Sequence, residues 1–134
     1  MYRIDGLSRS HGGRVVLQVD HLQLGDYGLT AILGHNGSGK STLMGLLART
    51  DTGGTGAITL EGQALAQIGQ RQLAQRVAFL PQRLPPVPGL TLRELVRLGR
   101  YPWRGALQPW QAGDHAAVEA ALAETGSLPQ AENL

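Results

Sequence analysis

The residues of this chain best suited to chemistry stand together as Gly34-His35-Asn36-Gly37-Ser38-Gly39-Lys40-Ser41, with Thr42 next. They fill every fixed position of the pattern G-x-x-x-x-G-K-[ST]. Glycines at this spacing let the backbone curl so that several N–H groups face a polyphosphate, and a helix starting at the end of the loop adds favourable partial charge. Lys40 can reach the β- and γ-phosphates as a point charge. Ser41 can place its hydroxyl on a Mg²⁺ that bridges those phosphates, and Thr42 can donate to a nearer one. A turn that only joined two elements would need neither the lysine nor the serine. Lys40 is also the only lysine in the chain, against eleven arginines. The pattern points to a nucleoside triphosphate with Mg²⁺, and it leaves the reaction open because kinases, GTPases and motor ATPases share such a loop.

A loop of this kind must be held between a strand and a helix, and the flanking sequence predicts both. Gly28 to Leu33 is a short run with few polar breaks, suited to a strand buried on both faces. Lys40 to Arg49 reads as a helix with Leu43, Leu46 and Leu47 at helical spacing. Upstream, Tyr2 to Leu7 and Arg14 to Leu24 alternate apolar and polar residues around the turn His11-Gly12-Gly13, which predicts a hairpin. Downstream, Thr50 to Gly56 is a turn and Ala57 to Leu60 a strand closed by Glu61-Gly62. Gly69 to Arg76 reads as a short helix and Val77 to Leu80 as a strand ending at Pro81. The stretch Arg83 to Gly89 breaks every regular pattern. Thr91-Leu92-Arg93-Glu94 has the form of a capping box that opens a helix through Leu98. Arg100 to Trp110 is a loop, Asp114 to Thr125 a last helix ended by Gly126, and Ser127 to Leu134 shows no periodicity.

Composition narrows the rest. The chain has 134 residues, 42% of them hydrophobic and 16% charged, the balance of one globular domain or a piece of a larger one. It has no cysteine, so disulfides and cysteine-based zinc sites are excluded. A net charge of +2, with basic residues spread along the chain, argues against a nucleic-acid partner. No apolar run approaches the length that spans a bilayer. The start MYRIDGLSRSHGG lacks the apolar stretch of a signal peptide, so a cytoplasmic protein is expected. Ala57-Ile58-Thr59-Leu60-Glu61 superficially qualifies as the apolar strand ending in a carboxylate that such enzymes need. Thr59 interrupts it, however, and Glu61-Gly62 reads better as a turn. A GTPase base-recognition Asn-Lys-x-Asp is absent.

The loop from Gly34 through Leu43 resembles the Walker A of ABC transporter ATPases, where Asn-Gly-Ser-Gly-Lys-Ser-Thr-Leu is a frequent wording. Gly53 through Gly62 is similar to the strand and turn that follow it in that family, and Val77-Ala78-Phe79-Leu80-Pro81-Gln82 to the strand entering the Q-loop. Leu84-Pro85-Pro86, Leu90 through Val96 and Gly99 through Leu107 resemble the iron-siderophore and vitamin B12 importers, most of all the ferrichrome type. Tyr101, Trp103 and Trp110 read physically as plugs of a small subdomain core.

The resemblance covers residues 1–126 and leaves 127–134 unassigned. It implies an α/β fold, the N-terminal portion of a P-loop ABC ATPase, with an antiparallel β subdomain and the start of a helical subdomain. It implies ATP and Mg²⁺ held by Gly34, His35, Asn36, Gly37, Ser38, Gly39, Lys40, Ser41, Thr42 and Gln82, with Ser41 and Gln82 toward the metal. The implied partners are a membrane permease met through the Q-loop region and a second ATPase subunit, with the protein peripheral at the inner face of the membrane. Where many members stack an aromatic side chain on adenine, this chain offers only His11. Read against the family, the sequence stops before the signature, the Walker B carboxylate, the glutamate after it and the switch histidine. The expectation is therefore nucleotide binding without turnover by this chain alone. The parent function implied is ATP-driven uptake of an iron-hydroxamate complex. Haem or vitamin B12 as cargo, or a truncated product that binds only nucleotide or permease, are the alternatives.

Overall fold

A computed structural model describes residues 1–25, 28–83, 89–105 and 107–133. Leu84-Pro85-Pro86 and Ala106, part of the importer resemblance, lie outside the described residues, as does Leu134. The chain divides into two compact units, one of Met1–Leu73 with Val77–Phe79, the other of Ala74–Arg76 with the residues from Leu80 on.

In the first unit the expected hairpin forms between β1 (Tyr2–His11) and β2 (Arg14–Leu24), with β1 longer than its alternation predicts. β3 (Thr55–Leu60) and the short β4 (Gln63–Ala64) complete an antiparallel sheet in the order β2-β1-β3-β4. Ile4 and Leu7 of β1, three residues apart, would face opposite sides of a regular strand; the register shifts against β3 between Asp5 and Ser8, with Gly6 at φ +58°, and both side chains are buried with Leu43, Leu46 and Leu47 of helix α1 (Lys40–Leu47). Burying a leucine of this kind contributes about 1.5–3 kcal/mol, so the sheet holds α1 chiefly through those three leucines. A second cluster joins Leu60 to Leu65, Ile68 and Leu73, the last from α2 (Gln70–Arg76). The α1–β3 connection is closed by polar contacts. Arg9 Nε donates to Asp51 Oδ2 at 2.9 Å and the Gly53 N–H to Asp51 Oδ1 at 2.9 Å. The Arg9 guanidinium and that N–H hold the Asp51 carboxyl below its ordinary value. Tyr2 Oη donates to the Leu47 carbonyl at 3.1 Å, tying β1 to the end of α1.

Two expected strands are corrected. Gly28 to Leu33 and Val77 to Leu80 form no ladder, and Leu29, Leu33 and Leu80 are 97%, 90% and 81% exposed. A strand buried on both faces needs hydrogen-bonded neighbours on each edge. Among the described residues no segment pairs with either stretch. Each run touches the core at one residue, Ile32 against the first cluster and Val77 against the second, while its other large apolar side chains stay exposed.

The second unit packs α3 (Leu92–Leu98) and α4 (Ala112–Glu124) around Val118, Leu122 and Ala131, with Leu92, Val96 and Trp110 against them. The expected capping box is present: Thr91 accepts from the Glu94 N–H, and Glu94 accepts from the Thr91 N–H at 2.8 Å. Residues after Gly126, aperiodic in sequence, turn through a 3₁₀ segment at Leu128–Gln130. The carbonyls of Ala131 and Asn133 then accept the N–H groups of Arg93 and Leu92, at 2.8 and 3.0 Å. Donors that a helix start leaves unpaired are met in this way. Arg93 also pairs with Glu119 and Glu132. Of the three aromatics read as core plugs, only Trp110 behaves so. Tyr101 and Trp103 lie in an exposed 3₁₀ turn, at 64% and 52% exposure. Trp110 is gripped by the guanidinium groups of Arg97 and Arg104, 4.2 and 4.4 Å from its ring centre.

Asp114 anchors the start of α4. It accepts from the Gln111 N–H at 3.2 Å and from Arg100 Nε at 3.0 Å. Its carboxyl sits below the ordinary value, first because of that N–H, which outweighs the burial that raises it, and then because of Arg100. A carboxyl lowered on folding stabilises the folded state above its unfolded pKa, and that contribution fades as pH falls through the folded one. Asp114→Asn is therefore expected to lower the melting midpoint near neutral pH, with the gap from wild type closing as the pH drops below the usual carboxylate range. A gap that stays constant through acid titration would show that Asp114 acts through packing alone.

In the sheet, Gly56 is pressed into the ladder at φ +94°, and a Cβ there would stand 2.3 Å from the Gly6 carbonyl oxygen and 2.8 Å from Leu7 Cα. Backbone atoms cannot give way as a side-chain tip can. Gly56→Ala is expected to cost about 2 kcal/mol or more, read as a lowered urea midpoint, whereas an unchanged midpoint would mean that β1 and β3 slide apart freely.

Candidate functional site

The loop at residues 34–39 leads directly into α1, as its sequence predicts, although the segment before it is unpaired. Its first half curls on itself. The Ser38 N–H donates to the His35 carbonyl at 3.2 Å, and a Cβ on Gly34 would stand 2.6 Å from Ser38 Oγ. Asn36 and Gly37 form the exposed turn at the tip. The His35 ring donates from Nδ1 to the Asn36 carbonyl at 2.8 Å, since a carbonyl can only accept.

Lys40 closes the curl. Its ammonium donates to the carbonyls of Gly34 and His35 at 2.7 and 2.8 Å and to Ser38 Oγ at 3.3 Å. The side chain reaches back from the first residue of α1 over the loop that precedes it, so the loop's one fixed positive charge sits inside its bend. Lys40, Ser41 and Thr42 form the first turn of α1, whose N–H groups have no carbonyl within the helix to take them. Those donors, the positive end of the helix dipole and the ammonium share one end of α1. Ser41 is exposed and Thr42 half-buried.

The loop ends at Gly39, which caps α1 in a left-handed conformation at φ +90°, and its carbonyl accepts the Leu43 N–H at 2.8 Å to start the helix. A Cβ at this position would lie 2.8 Å from the Val16 carbonyl and 3.1 Å from Leu17 Cδ1 of β2. Glycine is thus required here twice, for its backbone angle and for the close approach of a strand. The pattern in the sequence supplies the first reason; only the structure supplies the second.

The structure brings Gly34, His35, Asn36, Gly37, Ser38, Gly39, Lys40, Ser41 and Thr42 together as one loop and helix start. Gln82 belongs to the second unit and is exposed in a bend. Glu61 stands with Gly62 in the turn between β3 and β4, at φ +53° and +81°, in line with its reading as a turn residue. His11 is exposed at the end of β1, and His21 pairs with Asp5 across the β1–β2 ladder at 2.6 Å. His115 is tilted against Trp110, with ring centres 5.3 Å apart. No cluster of metal-ligating side chains is found among the described residues, and no helix among them is long and apolar enough to cross a membrane. The contribution of Val16 and Leu17 is the part of the site that sequence reasoning missed. Nothing in an alternating strand marks which residue will lie against the loop.

Comparison with known proteins adds the family. The chain is 39% identical over 119 residues to a probable siderophore transport system ATP-binding protein of Bacillus subtilis, covering 89% of this chain and 43% of that protein. It is 38% identical over 126 residues to a petrobactin import ATP-binding protein of Bacillus anthracis, covering 94% and 46%. It is 32% identical over 126 residues to an iron(3+)-hydroxamate import ATP-binding protein of Bacillus subtilis, covering 94% and 47%. The chain thus spans somewhat less than half the length of these relatives. The ABC transporter family model matches residues 17–133, a span that contains the loop, α1 and both helices of the second unit. With a phosphate-type loop on an antiparallel β subdomain, and that match over most of its length, this α/β chain belongs to the ABC transporter family of P-loop ATP-binding proteins.

Proposed function

We propose that this chain binds Mg-ATP through Gly34–Thr42 as part of the ATP-binding subunit of an importer for siderophore-bound iron. The observation that carries the nucleotide reading is the Lys40 ammonium held inside the loop by the Gly34 and His35 carbonyls, at the end of α1 where unpaired N–H groups gather. In this reading the N–H groups from Gly37 to Thr42 cradle the phosphates, Thr42 adds its hydroxyl, and Lys40 neutralises the β- and γ-phosphates. Ser41 would hold Mg²⁺ through its hydroxyl oxygen, with the Gln82 amide oxygen as the further donor that the family resemblance implies, and the ion would supply neutralisation of phosphate charge. Hard oxygen ligands of this kind suit that ion. The loop that carries Gln82 is the surface we assign to a membrane permease, with a second ATPase subunit facing the phosphate loop and the assembly peripheral at the inner face of the membrane. Hydroxamate-bound iron is the finer reading of the cargo. It rests on the wording of Gly99 through Leu107 and on the hydroxamate importer among the relatives.

Lys40→Ala is expected to weaken Mg-ATP binding at least about tenfold, because a desolvated polyphosphate loses its only nearby ammonium. Ser41→Ala should in turn reduce the benefit of added Mg²⁺. Equal affinity of wild type and Lys40→Ala in a calorimetric titration would overturn the assignment.

Turnover is a separate matter. Phosphoryl transfer needs a group that orients the attacking water, and among the described residues no strand ends in a carboxylate, Glu61 standing in a turn. The chain assayed as it stands is expected to bind nucleotide without releasing phosphate. Lys40-dependent release near ~1 s⁻¹, the low end of ordinary turnover, would contradict this and make Glu61 the first residue to replace.

A further inference from the structure

The hairpin that lies behind the phosphate loop carries an irregularity at the place where the two touch. Down most of the β1–β2 ladder the partners run in one register, through Ser8 with Gln18 and Arg9 with Leu17. The next pair is Ser10 with Val15, followed by His11 with Arg14, so Val16 is an extra residue without a partner on β1. This is a β-bulge, a feature over-represented at sheet edges, where β2 lies, and next to active sites, where it redirects the chain. The carbonyl of that same residue stands 2.8 Å from the position a Gly39 Cβ would occupy, and the Leu17 side chain is 3.1 Å from it.

We infer that the Val16 bulge is the positioning element of the phosphate loop: its carbonyl and the neighbouring Leu17 side chain hold Gly39 in place, and so set where the first turn of α1 presents its N–H groups. The inference rests on the reading of Gly34–Thr42 as the nucleotide site. Val16 and Leu17 are positioning residues, acting through Gly39. In a regular strand the Val16 carbonyl would be drawn into the ladder or away from it by the pleat, and Gly39 would lose its stop on that side. Small displacements of donors that must converge on one group are costly, since misplacement by about 1 Å can lose about a hundredfold in rate. Binding depends on the same convergence. An affinity controlled from β2 follows, in a strand that carries none of the proposed nucleotide ligands.

The test uses the 134-residue chain, with Mg-ATP affinity read by calorimetry and the unfolding midpoint read without nucleotide. Deleting Val16 joins Leu17 to Val15 and leaves every existing cross-strand pair intact, so the hairpin becomes regular. Val16→Ala keeps the bulge and its carbonyl while shortening the side chain. The deletion is expected to weaken Mg-ATP binding about tenfold or more with a nearly unchanged ligand-free midpoint, and Val16→Ala to stay within about twofold of wild type. Leu17→Ala, which removes the side chain lying on Gly39, should weaken binding severalfold and serves as the deciding variant if the deletion does not fold. Wild-type affinity in the folded deletion, equal losses in the deletion and Val16→Ala, or wild-type affinity in Leu17→Ala when the deletion cannot be folded, would each overturn the inference. In those cases wild-type binding of Mg-ATP would leave the nucleotide assignment standing. A wild-type chain that binds no Mg-ATP would instead sink that assignment together with this one.

Discussion

A strand carbonyl pressed against a residue without a side chain governs this molecule's principal site. Gly39 is where the phosphate loop becomes α1, and it lies under the Val16 carbonyl and the Leu17 side chain of β2. Everything on either side is secured from another direction. Leu43, Leu46 and Leu47 fasten α1 to the sheet, while Ser38 and Lys40 fasten the loop to itself. Gly39 has no side chain with which to anchor itself, and the Val16 carbonyl and Leu17 side chain press on it. A methyl group there would have to displace a backbone oxygen, which cannot rotate out of the way.

The arrangement of charge explains why the chain's single lysine stands where it does. The ammonium meets two carbonyls and a hydroxyl distributed around a tight bend, and a compact group with three rotatable donors can follow that curvature. A planar guanidinium presents its donors in a fixed fork that suits carboxylates and ring faces. Those are the roles that several arginines take here. Arg9 meets Asp51, Arg93 meets Glu119 and Glu132, Arg100 meets Asp114, and Arg97 and Arg104 lie on the Trp110 ring. These arginines thus build structure, and the lysine closes the loop on itself.

The second unit shows the same economy with fewer apolar residues. Its core is small, and polar closures carry much of the definition: the capping box at Thr91 and Glu94, Asp114 at the start of α4, and the tail carbonyls that meet the first N–H groups of α3. Each satisfies a helix end that would otherwise be left with unpaired donors. The result is a helical pair whose ends are held by a few hydrogen bonds.

Local signals were legible in the sequence because their physics is local. Alternation around Gly12-Gly13 determined the hairpin, Thr91-x-x-Glu94 determined the start of α3, and the spacing from Gly34 to Ser41 determined a loop that bends around a lysine and opens a helix. The family wording of Gly34 through Leu43 reached further than periodicity could, since it carried the ABC assignment. Where a reading needed a distant partner, the sequence by itself did not suffice. Gly28 to Leu33 and Val77 to Leu80 have the composition of strands, yet a strand exists only when another segment takes its hydrogen bonds, and among the described residues none does. Tyr101 and Trp103 have the bulk of core residues, but a 3₁₀ turn leaves them in solvent, while Trp110 finds two guanidinium groups. The aperiodic tail became structured because α3 had donors to fill. Above all, the bulge at Val16 and its approach to Gly39 were decided by tertiary structure alone, because a single unpaired residue in a strand and the glycine it touches are linked only by the way the sheet folds back on the loop.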